Sequence, residues 1–245
     1  TVVAKHRGAG FLAVPEELDH FLEEIFAECP LRISVKTRVG VNDAGEWEHL
    51  LSIYEKYPME ELIIHPRVQK DFYNNTPDME AFLYAVENSR HTLCYNGDIC
   101  SVEDYRTWRQ QMEETRKCAF MQESGQQTDP EDTGSLVSHL MLGRGVLKNP
   151  GLIGEITGHA PITKDQLHAF HDDVLKGYLD VMSGERNTLF RMKELWFYQK
   201  PYFDNADKAF KKIRKSRNMA EYEAAVQEFF AQAVPTERDT VQFTK

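Results

Sequence analysis

The sequence predicts an α/β chain in two parts: parallel strands joined by crossover helices, of the (β/α) barrel kind, then a tail built only of helices. Two observations carry this reading. Four short apolar runs end in polar or glycine-rich signatures, with helical pattern between them: Ile33-Ser34-Val35-Lys36-Thr37-Arg38, Leu62-Ile63-Ile64-His65-Pro66-Arg67, Leu93-Cys94-Tyr95-Asn96-Gly97-Asp98 and Leu140-Met141-Leu142-Gly143-Arg144-Gly145. After Pro150 no such run recurs. In a (β/α) barrel the C-terminal ends of the strands form the active face, so the four signatures also mark where to look for chemistry.

A helix is expected over 15–28, with Leu18, Phe21, Leu22 and Ile25 on one face and Pro15 at the permitted first turn. Strand 31–37 and a loop over 41–45 follow. Helix 46–57 leads to strand 61–65, and helix 77–88 to strand 92–95. Ser101 through Asp104 resembles a capping box that opens a helix to about Cys118. The polar, aperiodic stretch 122–134 reads as a loop before the last strand, 136–142. Thr163 and Gln166 form a capping box, and Leu167, Phe170, Val174, Leu175, Tyr178, Leu179 and Met182 follow at helical spacing. Further helices are expected over 187–200, 205–215 and 219–233, as a bundle. The expected domains are 1–155 and 156–245.

Composition narrows the function classes. The 245 residues are 41% hydrophobic and 28% charged, ordinary for a globular protein. No apolar stretch approaches the ~18 residues of a membrane span. Cys29, Cys94, Cys100 and Cys118 have neither metal-ligand nor disulfide-framework spacing, so no metal is expected and a reducing cytoplasm is. The formal charge of −10 argues against indiscriminate nucleic-acid binding.

Taken singly, the strand-end residues are ambiguous. Lys36 could hold an electron-rich cofactor atom or sit in a rim ion pair. His65 could be structural, and Asn96-Gly97-Asp98 could be only a tight turn. Gly143-Arg144-Gly145 offers backbone N–H groups and a guanidinium beside a helix start, which suits a phosphate. Their order and placement together say more than any one of them.

Val35-Lys36-Thr37-Arg38, Ile64-His65-Pro66-Arg67 with Gln69 and Tyr73, Asn96-Gly97-Asp98-Ile99, and Met141-Leu142-Gly143-Arg144-Gly145 with Asn149-Pro150 resemble the tRNA-dihydrouridine synthase family. Arg191-Met192-Lys193-Glu194-Leu195-Trp196 is similar to that family's C-terminal helical domain. The resemblance implies reduction of tRNA uridine to dihydrouridine with FMN that NADPH keeps reduced. It implies that Lys36 and His65 contact the flavin ring, and that Asn96, Gly97, Asp98, Gly143 and Arg144 hold the ribityl phosphate tail. Arg38 and Arg67 would lie near the substrate. Against the family pattern, the chain reads as the C-terminal half of a (β/α)8 TIM barrel plus a helical tRNA-binding domain. The family's Asn-x-Gly-Cys-Pro motif, whose cysteine is the general acid, is absent. Lys5-His6-Arg7-Gly8-Ala9-Gly10 resembles the segment just downstream of it, so the acid is expected before Thr1 and the chain alone is expected to be unstable or inactive. A monomer is expected when the protein is complete.

The segment 208–217 carries six basic and no acidic residues. Phe210 and Ile213 can pack inward while Lys208, Lys211, Lys212 and Lys215, with Arg214 among them, stay solvated; such a face binds phosphate backbones without reading sequence. Other readings are a solvated helix face, a dihydroorotate- or pyrimidine-dehydrogenase-like flavin enzyme, or a non-catalytic tRNA-binding remnant. The helical tail argues against a small-molecule reductase.

Overall fold

The computed structural model describes residues 7–123, 137–204 and 206–235. Lys5, His6, most of the expected polar loop, Leu136, Asn205 and the side chain of Cys118 lie outside the described residues. The chain divides into two compact units, Thr1–Asp98 with Thr107–Leu142, and Ile99–Arg106 with Gly143–Lys245. The Gly143-Arg144-Gly145 segment thus lies in the same compact unit as the C-terminal helices.

In the first unit, helix α1 (Pro15–Glu28) precedes strand β1 (Ser34–Gly40), helix α2 (Trp47–Tyr54), strand β2 (Glu61–Val68), helix α3 (Met79–Asn88) and strand β3 (Leu93–Tyr95). Helix α4 (Val102–Glu123) and strand β4 (Val137–Leu140) complete it, α4 taking its first residues from the second unit. The four strands form one parallel sheet in the order β1-β2-β3-β4.

Two strands run further than their apolar cores suggest. β1 continues to Gly40 and β2 to Val68 because the two pair as far as Gly40 with Val68, through an irregularity between Arg38 and Gly40. Arg67 is therefore inside a strand rather than after it, and His65 is interior to that strand rather than its last residue. Pro66 is tolerated in this central strand because β3 pairs with β2 only as far as Ile64, so no ladder bond is lost on that side. Helix α2 starts late because Asp43 and Glu46 form a capping box around a 3₁₀ turn. The Glu46 carboxylate accepts from the N–H groups of Val41, Asn42 and Asp43 at 2.8, 3.0 and 3.1 Å, fastening the loop after β1.

Strand register sorts the sheet into two unlike faces. Leu62, Ile64, Leu93 and Tyr95 point to one, where Phe82 of α3 meets Tyr95 edge-on at 4.9 Å and Tyr54 of α2 bonds Thr37 at 2.8 Å. On the other, the register sets Lys36, Ile63, Cys94 and His139 in one row and Arg38 beside His65 in the next. Half of the sheet is thus oil and half is chemistry.

In the second unit, short helices α5 (Arg144–Lys148) and α6 (Leu152–Ile156) precede α7 (Lys164–Val181), α8 (Glu185–Gln199), α9 (Asp207–Lys215) and α10 (Met219–Gln232). The Thr163–Gln166 capping box is present as expected. Periodicity could not reveal α5 and α6, which are barely a turn long, nor the two-residue antiparallel pair of β5 (Phe203–Asp204) and β6 (Val234–Pro235). Met192, Trp196, Ile213, Tyr222 and Phe229 form the center of the core. Trp196 Nε1 donates to Tyr222 Oη at 2.8 Å, and that hydroxyl lies 2.6 Å from His171 Nε2, so the aromatic core is also a hydrogen-bonded one.

Candidate functional site

The polar sheet face and the turn after β3 gather five of the predicted side chains within the first unit. Lys36 and Arg38 alternate along β1, His65 and Arg67 along β2, and Asp98 follows β3. Two-residue spacing puts each strand's pair on one face.

Arg67 is the center of this cluster. It is 1% exposed, and its guanidinium grips the Asp98 carboxylate with both terminal nitrogens, Nη1 to Oδ1 at 3.0 Å and Nη2 to Oδ2. Nε and Nη2 donate to the carbonyl of Asn75, the former at 2.6 Å. Nη1 also lies 3.1 Å from His65 Nε2. Arg38 is committed in a similar way: it donates to the carbonyls of Val68 and Phe72, both at 2.7 Å, and lies 5.6 Å from the centroid of the Tyr73 ring. The two arginines expected near substrate therefore pin the 68–75 loop by its carbonyl groups.

That loop is held in a costly conformation. Phe72 has φ +51°, the sole positive φ at a non-glycine position among the described residues. Phe72 and Tyr73 stay exposed, with the Tyr73 ring 6.0 Å from His65. The sequence singled out Gln69 and Tyr73 but not Phe72 or Asn75. The Arg67–Asp98 pair is not read from the sequence, where its one signal is an arginine two residues from a strand histidine with an aspartate after the next strand.

Electrostatics divides the cluster into a neutral base and a charge without a partner. His65 is 7% exposed and its pKa is driven down to about 3, first by desolvation, then by the charges of Arg38, Lys36 and Arg67, with Asp98 opposing. Lys36 is exposed, yet desolvation and the Arg38 charge lower its pKa too. Among the described residues Lys36 makes no hydrogen bond or ion pair, and His65 Nδ1 makes no hydrogen bond. The rim ion pair that Lys36 could have made is not formed with any of them.

The Asn96 side chain donates to the Met141 carbonyl at 2.8 Å and so ties the end of β3 to that of β4. At Gly97 a Cβ would come 2.3 Å from the Tyr95 hydroxyl, so any larger residue at that turn would have to displace the buried Tyr95 ring. Gly143 caps α5 and Arg144 opens it, both in the second unit. In α9, Ala209 and Ile213 are buried and Phe210 is half-buried, while Lys208, Lys211, Lys212, Arg214 and Lys215 are exposed. Lys212 is paired with Glu228 at 2.6 Å, whereas the other four make no ion pair among the described residues.

Three cysteines can be weighed as proton donors. Cys29 caps the end of α1, on the N-terminal side of β1, and so at the end of the strand away from Arg38. Cys94 is buried, with its thiol pushed up to about 11, chiefly by desolvation. Cys100 is buried in the second unit. None joins the His65 cluster as a reactive thiol. No group of three potential metal ligands occurs among the described residues, and no helix there is long and apolar enough to cross a membrane.

A protein-family model described as Dihydrouridine synthase (Dus) matches residues 1–242. A search of curated proteins finds no match.

Proposed function

Because the chain belongs to the dihydrouridine synthase family, we propose that it holds the flavin ring for FMN-dependent reduction of uridine to 5,6-dihydrouridine in tRNA, with NADPH as reductant. The observation that carries the reading is the pair of uncommitted donors, Lys36 Nζ and His65 Nδ1, on adjacent parallel strands. Such a donor set suits a flavin, whose ring presents acceptor atoms and gains negative charge on reduction.

FMN, when bound, would supply a hydride to the uridine 5,6 double bond and NADPH would renew it, while the proton that completes the saturation would come from an acid other than Cys29, Cys94 or Cys100. Lys36 then offsets charge on the ring. His65, held neutral, donates a hydrogen bond without adding a second full charge. Arg38 and Arg67 hold the 68–75 loop, with Phe72 and Tyr73, beside the place where substrate would enter. Gly143 and Arg144 enter the reading as phosphate holders through the family resemblance. Asn96 and Gly97 support it from the turn after β3, and Asp98 acts through Arg67. In this reading the parallel sheet is part of a (β/α) barrel, the helical unit docks tRNA through Lys208, Lys211, Arg214 and Lys215, and the enzyme works in the cytoplasm. Cys29, Cys94 and Cys100 are not its general acid.

The test is nucleoside analysis of unmodified tRNA incubated with FMN, NADPH and protein expressed from the complete reading frame that contains this sequence. Dihydrouridine is expected, and its absence overturns the reading. In the same protein, Lys36→Ala should weaken FMN binding about tenfold, the ~1.4 kcal/mol of one charge-assisted hydrogen bond. Unchanged flavin affinity by titration would remove Lys36 from the site.

A further inference from the structure

We propose that Arg67, anchored by Asp98, is a positioning residue that fixes the His65 imidazole as its Nδ1–H tautomer, making His65 a permanent hydrogen-bond donor rather than an acid. The inference rests on the proposed flavin reading only for what receives that bond.

The argument is one of donors and acceptors. A guanidinium has five N–H groups and no acceptor. At 3.1 Å from Arg67 Nη1, His65 Nε2 can satisfy the contact only as a lone pair, so the ring proton must reside on Nδ1. The guanidinium cannot rotate to relax this demand. Both terminal nitrogens are taken by Asp98 and the Asn75 carbonyl holds the other edge. Arg67 is fully buried, so a donor turned away from these acceptors would lose its partner without gaining water.

The surroundings remove the alternative of a charged ring. Lys36 and Arg38 from β1 and Arg67 from β2 all disfavor a second proton, and only Asp98 after β3 favors one. The Asp98 charge is already committed to Arg67. Nδ1 meets no partner among the described residues, and the Tyr73 ring stands 6.0 Å from the imidazole. An N–H with nothing to bond, on the sheet face that also carries an unpaired lysine, is a polar group arranged for a ligand acceptor. It also assigns Arg67 and Asp98, expected at the substrate and the phosphate, to the support beneath His65.

The experiment is two-dimensional ¹H–¹⁵N correlation of the imidazole groups in histidine-labelled protein, titrated from pH 8 to 5, with His65→Asn identifying the signal. A single neutral Nδ1–H pattern that does not move over this range is expected. An Nε2–H pattern, or a titration midpoint near the ordinary ~6.5, overturns the proposal whatever any variant does. Arg67→Lys keeps the charge and most of the volume but cannot reach both Asp98 and His65. It should introduce Nε2–H signal and let the ring titrate within the range, and an unaltered spectrum would show that Arg67 does not set the tautomer. Flavin affinity, followed separately by fluorescence, should fall about tenfold in Arg67→Lys through the misplaced proton. The imidazole spectrum requires no flavin, so a failure to bind FMN would count against the proposed function and leave the tautomer result standing.

Discussion

At the scale of single residues, two buried histidines make the protein sensitive to acid. Both His65 and His171 have pKa values lowered chiefly by desolvation, His65 to about 3. A histidine whose folded pKa lies below its unfolded value takes a proton more readily when the chain unfolds. Stability is therefore complete above about pH 6.5 and is lost as pH falls toward the folded value, by up to ~1.4 kcal/mol per pH unit for each such group. Urea denaturation should show a lower midpoint at pH 5 than at pH 7.5, and equal midpoints would contradict the assignment of neutral rings. Tyr222 is the second sensitive point. Its hydroxyl accepts from Trp196 and stands against His171, so Tyr222→Phe leaves two buried nitrogens without their partner. A loss of about 1–3 kcal/mol is expected from thermal or urea unfolding.

At the scale of elements, what was legible in the sequence followed the length and regularity of each pattern. The Thr163–Gln166 cap, the apolar face of α7 and the four apolar strand cores could be read directly because each repeats a local rule. The extension of β1 and β2 could not, since it depends on pairing between them rather than on either strand's apolar run. Likewise the motif residues on β2 were visible, but not that Arg67 faces inward: an arginine in an otherwise apolar strand looks solvent-directed until its carboxylate partner, 31 positions on, is placed beside it. Helix α5 gives this scale its own prediction. A Cβ on Gly145 would fall 2.2 Å from the Ile99 carbonyl oxygen and 3.0 Å from Leu152 Cδ2. Because the first of these is backbone, Gly145→Ala should cost about 1–3 kcal/mol, read as a fall in the urea midpoint.

At the scale of the whole molecule, charge is distributed against the average. A chain of formal charge −10 exposes four cations on α9 that make no ion pair among the described residues. If they meet a phosphate backbone, tRNA affinity must fall steeply with salt, and replacing Lys211 and Lys215 by alanine should flatten the plot of log K against log salt by roughly 1–2 units. An unchanged slope would free α9 from that role. The order of the strands has a different consequence, in time rather than in space. In the sheet β1-β2-β3-β4 every strand lies beside the one that the ribosome made just before it. Synthesis delivers about 5–20 residues per second, far slower than local structure forms. Each strand can therefore settle on a waiting neighbor before the next appears, and the buried Arg67 remains without its carboxylate only until Asp98 leaves the exit tunnel.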